Sequence, residues 1–205
     1  MGRLVLLVRH GAIDWSGRIG ALEDGLSEEG RWQARALARR LRRFAPAALY
    51  SSPLRRARET AWLLAEELGL SVHLDERLAE WDAGQWTGLT EDEVRERYPQ
   101  EWRRSRADPS YRPPGAETAE ALQERVASAL TAAREAHPQG DLVLVGHAAA
   151  LSALICHVLG LTFGPREQRL FALETCSLTV VEEPDNLPHL VLVALNDTCH
   201  LRGQP

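Results

Sequence analysis

Two apolar runs of this chain stop at a histidine. Leu4-Val5-Leu6-Leu7-Val8 leads into Arg9-His10-Gly11, and Leu142-Val143-Leu144-Val145 leads into Gly146-His147. An imidazole titrates near neutrality, so it can serve as nucleophile, general base or metal ligand. Arg9 adds a planar, permanently charged fork suited to carboxylate or phosphate oxygens. A third stretch, "SSPLRRARETA" at 51–61, sets Arg56 at the start of a helix, where free N–H groups and the dipole already favour an anion. A fourth, "LAEWDAGQWTGLT" at 78–90, holds Glu80 beside tryptophans, where partial desolvation favours the protonated acid. Each residue taken singly also fits a structural role: a histidine capping a strand, an arginine on a solvated helix face, a glutamate at a strand end. The repetition of strand-then-histidine, with Arg9 alongside, points instead to a shared anion site.

The elements carrying these residues must bring them together. The continuous runs 4–8 and 142–145 read as strands buried on both faces, as in a parallel sheet covered by helices. Ser27 before Glu28 and Glu29 marks a helix start, and Leu37, Leu41 and Phe44 extend that helix to about Phe44. A strand over 47–51 follows. The next helix has Pro53 in its first turn, Leu54, Ala57, Ala61, Leu64 and Leu68 on one face, and Gly69 at its end. With a third strand over 71–74, the order predicts an α/β fold: a three-layer α/β/α sandwich with a mostly parallel central sheet flanked by helices. Residues 80–116 break the rhythm with Trp81, Trp86, Trp102, Tyr111 and many arginines. Thr90 with Glu93 forms a capping-box signature there. This region reads as an insertion, at about 81–116, lying over the sheet edge. A helix over 117–136, a helix over 149–159 and strands over 177–182 and 189–195 complete a single domain spanning 1–205. Ligands of open α/β sheets bind outside the carboxyl ends of the strands, so if strands 4–8 and 142–145 are neighbours, both imidazoles enter one crevice.

Taken in order, these pieces resemble the histidine phosphatase superfamily, the phosphoglycerate-mutase-like clan. The resemblance rests on Arg9-His10-Gly11, on Ser52, Arg56-Ala57 and Thr60-Ala61, on Glu80, on "PPGAET" at 113–118 and on Gly146-His147. It implies that His10 is the nucleophile and forms a phosphohistidine, that Arg9, Arg56 and His147 cradle the phosphoryl oxygens, and that Glu80 is the general acid. Two guanidiniums and an imidazole offer charge to a loose phosphoryl-transfer transition state without a metal. The chain also departs from the family. Where the family often has Glu-Thr and then Asn, Ala12, Ile13 and Ser16 stand here, and the Ser16 hydroxyl partly replaces the Asn. Where it often has Gly-Gly after the second histidine, Ala148-Ala149 stands, and Ala148 still offers a backbone N–H. Gly11 and Trp81 complete the expected substrate contacts. The insertion is shorter than is usual among the mutases, which directs the reading to the phosphatase branch. Phosphoglycerate mutase-type phosphoryl transfer and a non-catalytic phospho-ligand-binding relative are the alternatives.

Composition narrows the classes further. The net charge of −5 argues against nucleic-acid binding, which rewards a basic face. All 24 basic residues are arginine, which excludes a Schiff-base lysine and a phosphate loop ending in Gly-Lys-Ser/Thr. Cys156, Cys176 and Cys199 have no metal-ligand spacing and read as buried or semi-buried free thiols of a reducing cytosol. No metal and no cofactor is expected, because zinc needs three or four close ligands. No leader and no membrane-length run is seen, so the expectation is a cytoplasmic monomer or homodimer acting on a small phosphorylated metabolite.

Overall fold

The computed structural model describes residues 2–20, 23–108, 110–164, 167 and 170–203. Among these, six strands form one sheet: β1 (Arg3–Arg9), β2 (Ala48–Ser51), β3 (Val72–Leu74), β4 (Leu142–Gly146), β5 (Leu178–Glu183) and β6 (Val191–Asp197). The helices are α1 (Glu28–Leu41), α2 (Arg55–Leu68), α3 (Glu91–Arg97), α4 (Pro99–Ala107), α5 (Ala119–Ala136) and α6 (Ala148–Val158). The strand order is β3-β2-β4-β1-β5-β6. β1, β4, β2 and β3 run parallel, and β5 runs antiparallel to its neighbours β1 and β6.

The unbroken apolar runs have the physical origin expected of them. Along β1, Val5 and Leu7 join a core with Leu122, Val126, Leu151 and Leu154 of α5 and α6. Leu6 and Val8 point the other way, into a core with Leu37 and Leu41 of α1 and Leu64 of α2. Both faces are therefore covered, and a strand covered on both sides has no position for a polar residue until it ends.

The boundaries differ from expectation in places. α1 stops at Leu41 rather than near Phe44, because the chain tightens into i to i−3 bonds from Arg43 and Phe44. It then takes Ala45 to a φ of 46° ahead of Pro46, whose ring disfavours helix in the residue before it. Pro53 lies before α2 and not within it; Leu54 is the N-cap. The capping box at Thr90 is present, with Glu93 reaching back to the Thr90 N–H at 2.8 Å. α4 is an additional helix, and Pro99 in its first turn is the signal that marks it. Backbone bonds tie the insertion to the loop that follows the central strand β1: the Ile19 N–H donates to the Leu89 carbonyl at 2.8 Å and the Gly88 N–H to the Ile19 carbonyl at 2.8 Å. Cys156 and Cys176 are buried, whereas Cys199 is exposed. No helix among the described residues is long and apolar enough to cross a membrane.

Two glycines decide how the loop after β1 leaves the sheet. A Cβ on Gly11 would lie 2.6 Å from the Gly30 carbonyl oxygen, and one on Gly30 would lie 2.0 Å from the Ala12 carbonyl oxygen. Both obstacles are backbone, so neither relaxes by a side-chain rotation. Alanine is the better helix former by about 1 kcal/mol, yet overpacking of ~1–3 kcal/mol outweighs it. Gly30→Ala is therefore expected to lower stability in urea unfolding; an unchanged or higher midpoint would contradict this close approach.

Candidate active site

Three adjacent strands end at one level. β1 and β4 pair in parallel with Val8 opposite Val145 and Arg9 opposite Gly146, and β2 brings Ser51 opposite Val145. Beyond those pairs, the His10 N–H donates to the Gly146 carbonyl at 3.0 Å and the Ser52 N–H to the Val145 carbonyl at 3.0 Å. His10, His147 and Ser52 thus leave the sheet side by side, with the two imidazole centroids 5.2 Å apart.

The protonation of His10 follows from its partners. Its Nδ1 lies 2.8 Å from the Gly11 carbonyl oxygen. A carbonyl only accepts, so Nδ1 carries the proton and a neutral ring keeps its lone pair on Nε2. Burial, opposed by the Gly11 bond and reinforced by the charges of Arg56 and Arg9, lowers the His10 pKa to about 3. His147 is fully buried and its pKa is also lowered, first by desolvation and then by His10, Arg56 and Arg9. Its Nε2 lies 2.8 Å from the Ser52 hydroxyl, which itself accepts from the Leu54 N–H at 3.2 Å. Its Nδ1 is buried without a hydrogen-bond partner.

Two guanidiniums flank the rings. Arg56, 6% exposed, comes from the first turn of α2, and Arg9 from the last residue of β1. Burial lowers the pKa of each, and the Glu80 carboxylate is the leading opposing influence on both. One end of Arg9 is tethered to the Leu173 carbonyl, while its Nε is buried and unpartnered. The Glu80 carboxylate is held by backbone amides: Oε1 accepts from Trp81 at 2.9 Å and Ala150 at 3.1 Å, and Oε2 from Ala149 at 3.3 Å. The first turn of α6, whose N-cap is His147, therefore holds this carboxylate.

Of the residues expected to contact substrate, Gly11, Ala148 and Trp81 adjoin His10, His147 and Glu80 in turn, and Ser16 lies in the loop after β1. Ser16 is exposed and its hydroxyl bonds to Asp24 at 3.1 Å. The Gly11 N–H donates to Thr60 Oγ1 at 3.0 Å, so this glycine orients His10 with its carbonyl and anchors the loop with its amide. Ala148 opens α6 next to His147. Trp81 donates its indole N–H to the Glu117 carbonyl at 2.8 Å and packs edge-on against Phe163. It also lines a cavity of about 550 Å³, bounded further by Trp86, Tyr111, Phe163, Asp82 and Arg112. The arginines of the insertion are mostly engaged: Arg95 and Arg97 with Asp92 and Glu93, and Arg104 and Arg106 over the rings of Tyr111 and Trp102. Sequence reasoning assigned no role to Ser52, Thr60, Gln33 or Arg125. Ser52 and Thr60 lay inside the quoted motif, and Thr60 also donates to the Arg56 carbonyl at 2.8 Å. Gln33 accepts from the Ala12 N–H at 2.9 Å from within a helix face, where spacing carries no signal of it. No group of three or more His, Cys, Asp or Glu among the described residues is arranged to hold a metal ion.

Fold and cluster together define an α/β sandwich protein with paired histidines and arginines gathered at the strand ends. The chain belongs to the histidine phosphatase superfamily (branch 1), whose family model matches residues 5–197. It is similar to Phosphoserine phosphatase 1 of Hydrogenobacter thermophilus, 36% identical over 203 residues that cover 96% of this chain and 93% of the relative. It is also similar to a Citrobacter koseri protein named "Probable phosphoglycerate mutase GpmB", 33% identical over 211 residues, covering 96% of this chain and 94% of the relative. Among solved structures, a mycobacterial glucosyl-3-phosphoglycerate phosphatase complexed with VO3 superposes with a TM-score of 0.79 at 30% identity, covering 95% of this chain and 99% of that one.

The depressed His10 pKa has a consequence for stability. The unfolded ring titrates near 6.5 and the folded one near 3, so the unfolded state binds the extra proton between them. Stability from the neutral ring is fully present above pH 6.5 and is lost as pH falls toward 3, at ~1.4 kcal/mol per pH unit well below 6.5. His10→Asn is expected to flatten unfolding free energy against pH by about one proton between pH 6 and 4. An unaltered slope would show that His10 is protonated in the native protein.

Proposed function

We propose that the protein is a metal-independent phosphatase that hydrolyses a small phosphomonoester through a phosphohistidine on His10. The observation that carries this reading is the neutral His10 ring, anchored through Nδ1 to Gly11 and set 5.2 Å from His147 under the charges of Arg9 and Arg56. The free lone pair on Nε2 attacks phosphorus. The ester P–O bond breaks, and Glu80 gives its proton to the departing oxygen. Water then attacks the phosphohistidine, the P–N bond breaks, Glu80 recovers a proton from that water, and inorganic phosphate leaves. Arg9 Nε and His147 Nδ1 are buried and unpartnered, and they supply donors to the equatorial oxygens, where charge accumulates. The Ser52 hydroxyl accepts from Leu54 and is free to donate to His147 Nε2, which leaves the proton of neutral His147 on Nδ1, the atom aimed at the phosphoryl group. The cavity that begins at Trp81, one residue from Glu80, takes the organic part of the ester.

Mutase-type transfer is the second reading, favoured by the name of the Citrobacter koseri relative. It requires that the phosphoryl group return to substrate faster than water reaches it. The two readings separate on 3-phosphoglycerate given with and without its bisphosphate: isomerisation exceeding hydrolysis would favour the mutase.

With p-nitrophenyl phosphate, turnover is expected to persist in EDTA. A quench that avoids acid, followed by mass spectrometry, should place the phosphoryl group on His10, and His10→Asn should abolish turnover. Glu80→Gln should cost ~10²–10⁴ in rate on an alkyl phosphate. A phosphoryl group found on any other residue would overturn the mechanism.

A further inference from the structure

Resting on the reading of Glu80 as general acid, we propose that Arg125 is a positioning residue: it aims Glu80 at the ester oxygen by clamping the backbone from which Glu80 projects. The segment 77–80 runs out of one 3₁₀ turn, 76–78, ahead of a second, 84–86, and belongs to no sheet or α-helix. Its carbonyls have no ladder to satisfy them, and a polar backbone near the core must find donors elsewhere. Arg125, projecting from α5, provides them. Its Nη1 donates to the Arg77 carbonyl at 2.7 Å and the Ala79 carbonyl at 2.8 Å, and its Nη2 to the Glu80 carbonyl at 3.1 Å.

Glu117 closes the arrangement. Its carboxylate takes Arg125 Nε at 2.6 Å and Nη2 at 2.8 Å, with both side chains largely buried at 21% and 15% exposure. Its backbone carbonyl accepts the Trp81 indole N–H, and the Trp81 amide N–H donates to Glu80 Oε1. A continuous circuit thus runs from Arg125 through Glu117 and Trp81 to the carboxylate, and directly from Arg125 to the Glu80 backbone. The amides of Ala149 and Ala150 hold the carboxylate from the other side. Five donors in one plane reach three carbonyls and a bidentate carboxylate at once; the point charge of a lysine, with three donors, does not. Arg125 touches none of the reacting atoms in the proposed mechanism, so it acts through the aim of Glu80.

Leaving groups of different basicity provide the test. p-Nitrophenolate departs without a proton, whereas an alkoxide needs the one from Glu80. kcat/KM reports the first chemical step, formation of phosphohistidine, so the later hydrolysis does not enter. It is to be measured on p-nitrophenyl phosphate and on ethyl phosphate for the parent protein, Arg125→Met, Arg125→Lys and Glu80→Gln. Arg125→Met is expected to lower the ethyl phosphate value ~10²-fold more than the p-nitrophenyl value, with Arg125→Lys in between and Glu80→Gln showing the same selectivity at greater depth. If Arg125→Met fails to fold, the same shift of ratio is read on Glu117→Gln. An equal loss on both substrates, or no loss on either, in a protein with a normal melting transition overturns the positioning role while leaving the acid assignment intact. A Glu80→Gln variant with no selectivity for leaving group removes the acid assignment and this proposal with it.

Discussion

The in-register parallel pairing of β1 with β4 is the constraint on which the rest depends. With Arg9 opposite Gly146, the residues that follow, His10 and His147, emerge at the same height and one strand spacing apart. A slip of one residue would turn every side chain of β1 to the other face, exchanging Val5 and Leu7 for Leu6 and Val8 between two different cores. Both cores are fully formed, so the register is fixed by apolar burial on two faces at once. The site inherits its precision from that burial, because catalytic geometry tolerates little displacement.

Burying two imidazoles and two guanidiniums is unfavourable on its own. The protein offsets this with a layer of small polar groups whose bonds converge on the cluster. The Gly11 carbonyl holds His10, Ser52 holds His147, the Leu173 carbonyl holds Arg9, and Thr60 links the Gly11 amide to the Arg56 carbonyl. Buried polar atoms in folded proteins are nearly always bonded. Of the four unpartnered buried side-chain polar atoms among the described residues, Arg9 Nε and His147 Nδ1 belong to this cluster, while Arg58 Nε and Trp86 Nε1 do not.

Around this centre the chain varies more freely. The insertion with α3 and α4 is held by its own ring cluster of Trp86, Trp102 and Tyr111 and by bonds to residues 18–19. It walls the cavity that begins beside Glu80. The similar proteins carry phosphatase and mutase names on one fold. One fold commonly hosts several activities when the loops over the strand ends are changed.

Much of this was written locally. The runs 4–8 and 142–145 announced doubly covered strands, Ser27 and Thr90 announced caps, and the ordered motifs announced which histidines, arginines and glutamate belong together, because each signal resides in a few adjacent residues. What adjacent residues do not carry is which atoms meet across the fold. That Ser16 turns to Asp24, that the Glu80 carboxylate accepts from amides of α6, and that Gly30 must lack a side chain to admit Ala12 are outcomes of close packing that adjacent residues do not announce. Arg125 is the clearest case. Nothing distinguishes it in sequence from the other arginines of a charged helix, and only the approach of α5 to residues 77–80 turns it into a five-bond clamp. Periodicity and residue type dictate the elements and the chemistry available to them. Which donors face which acceptors follows only from the assembled fold, because those distances are set by the packing of both cores at once.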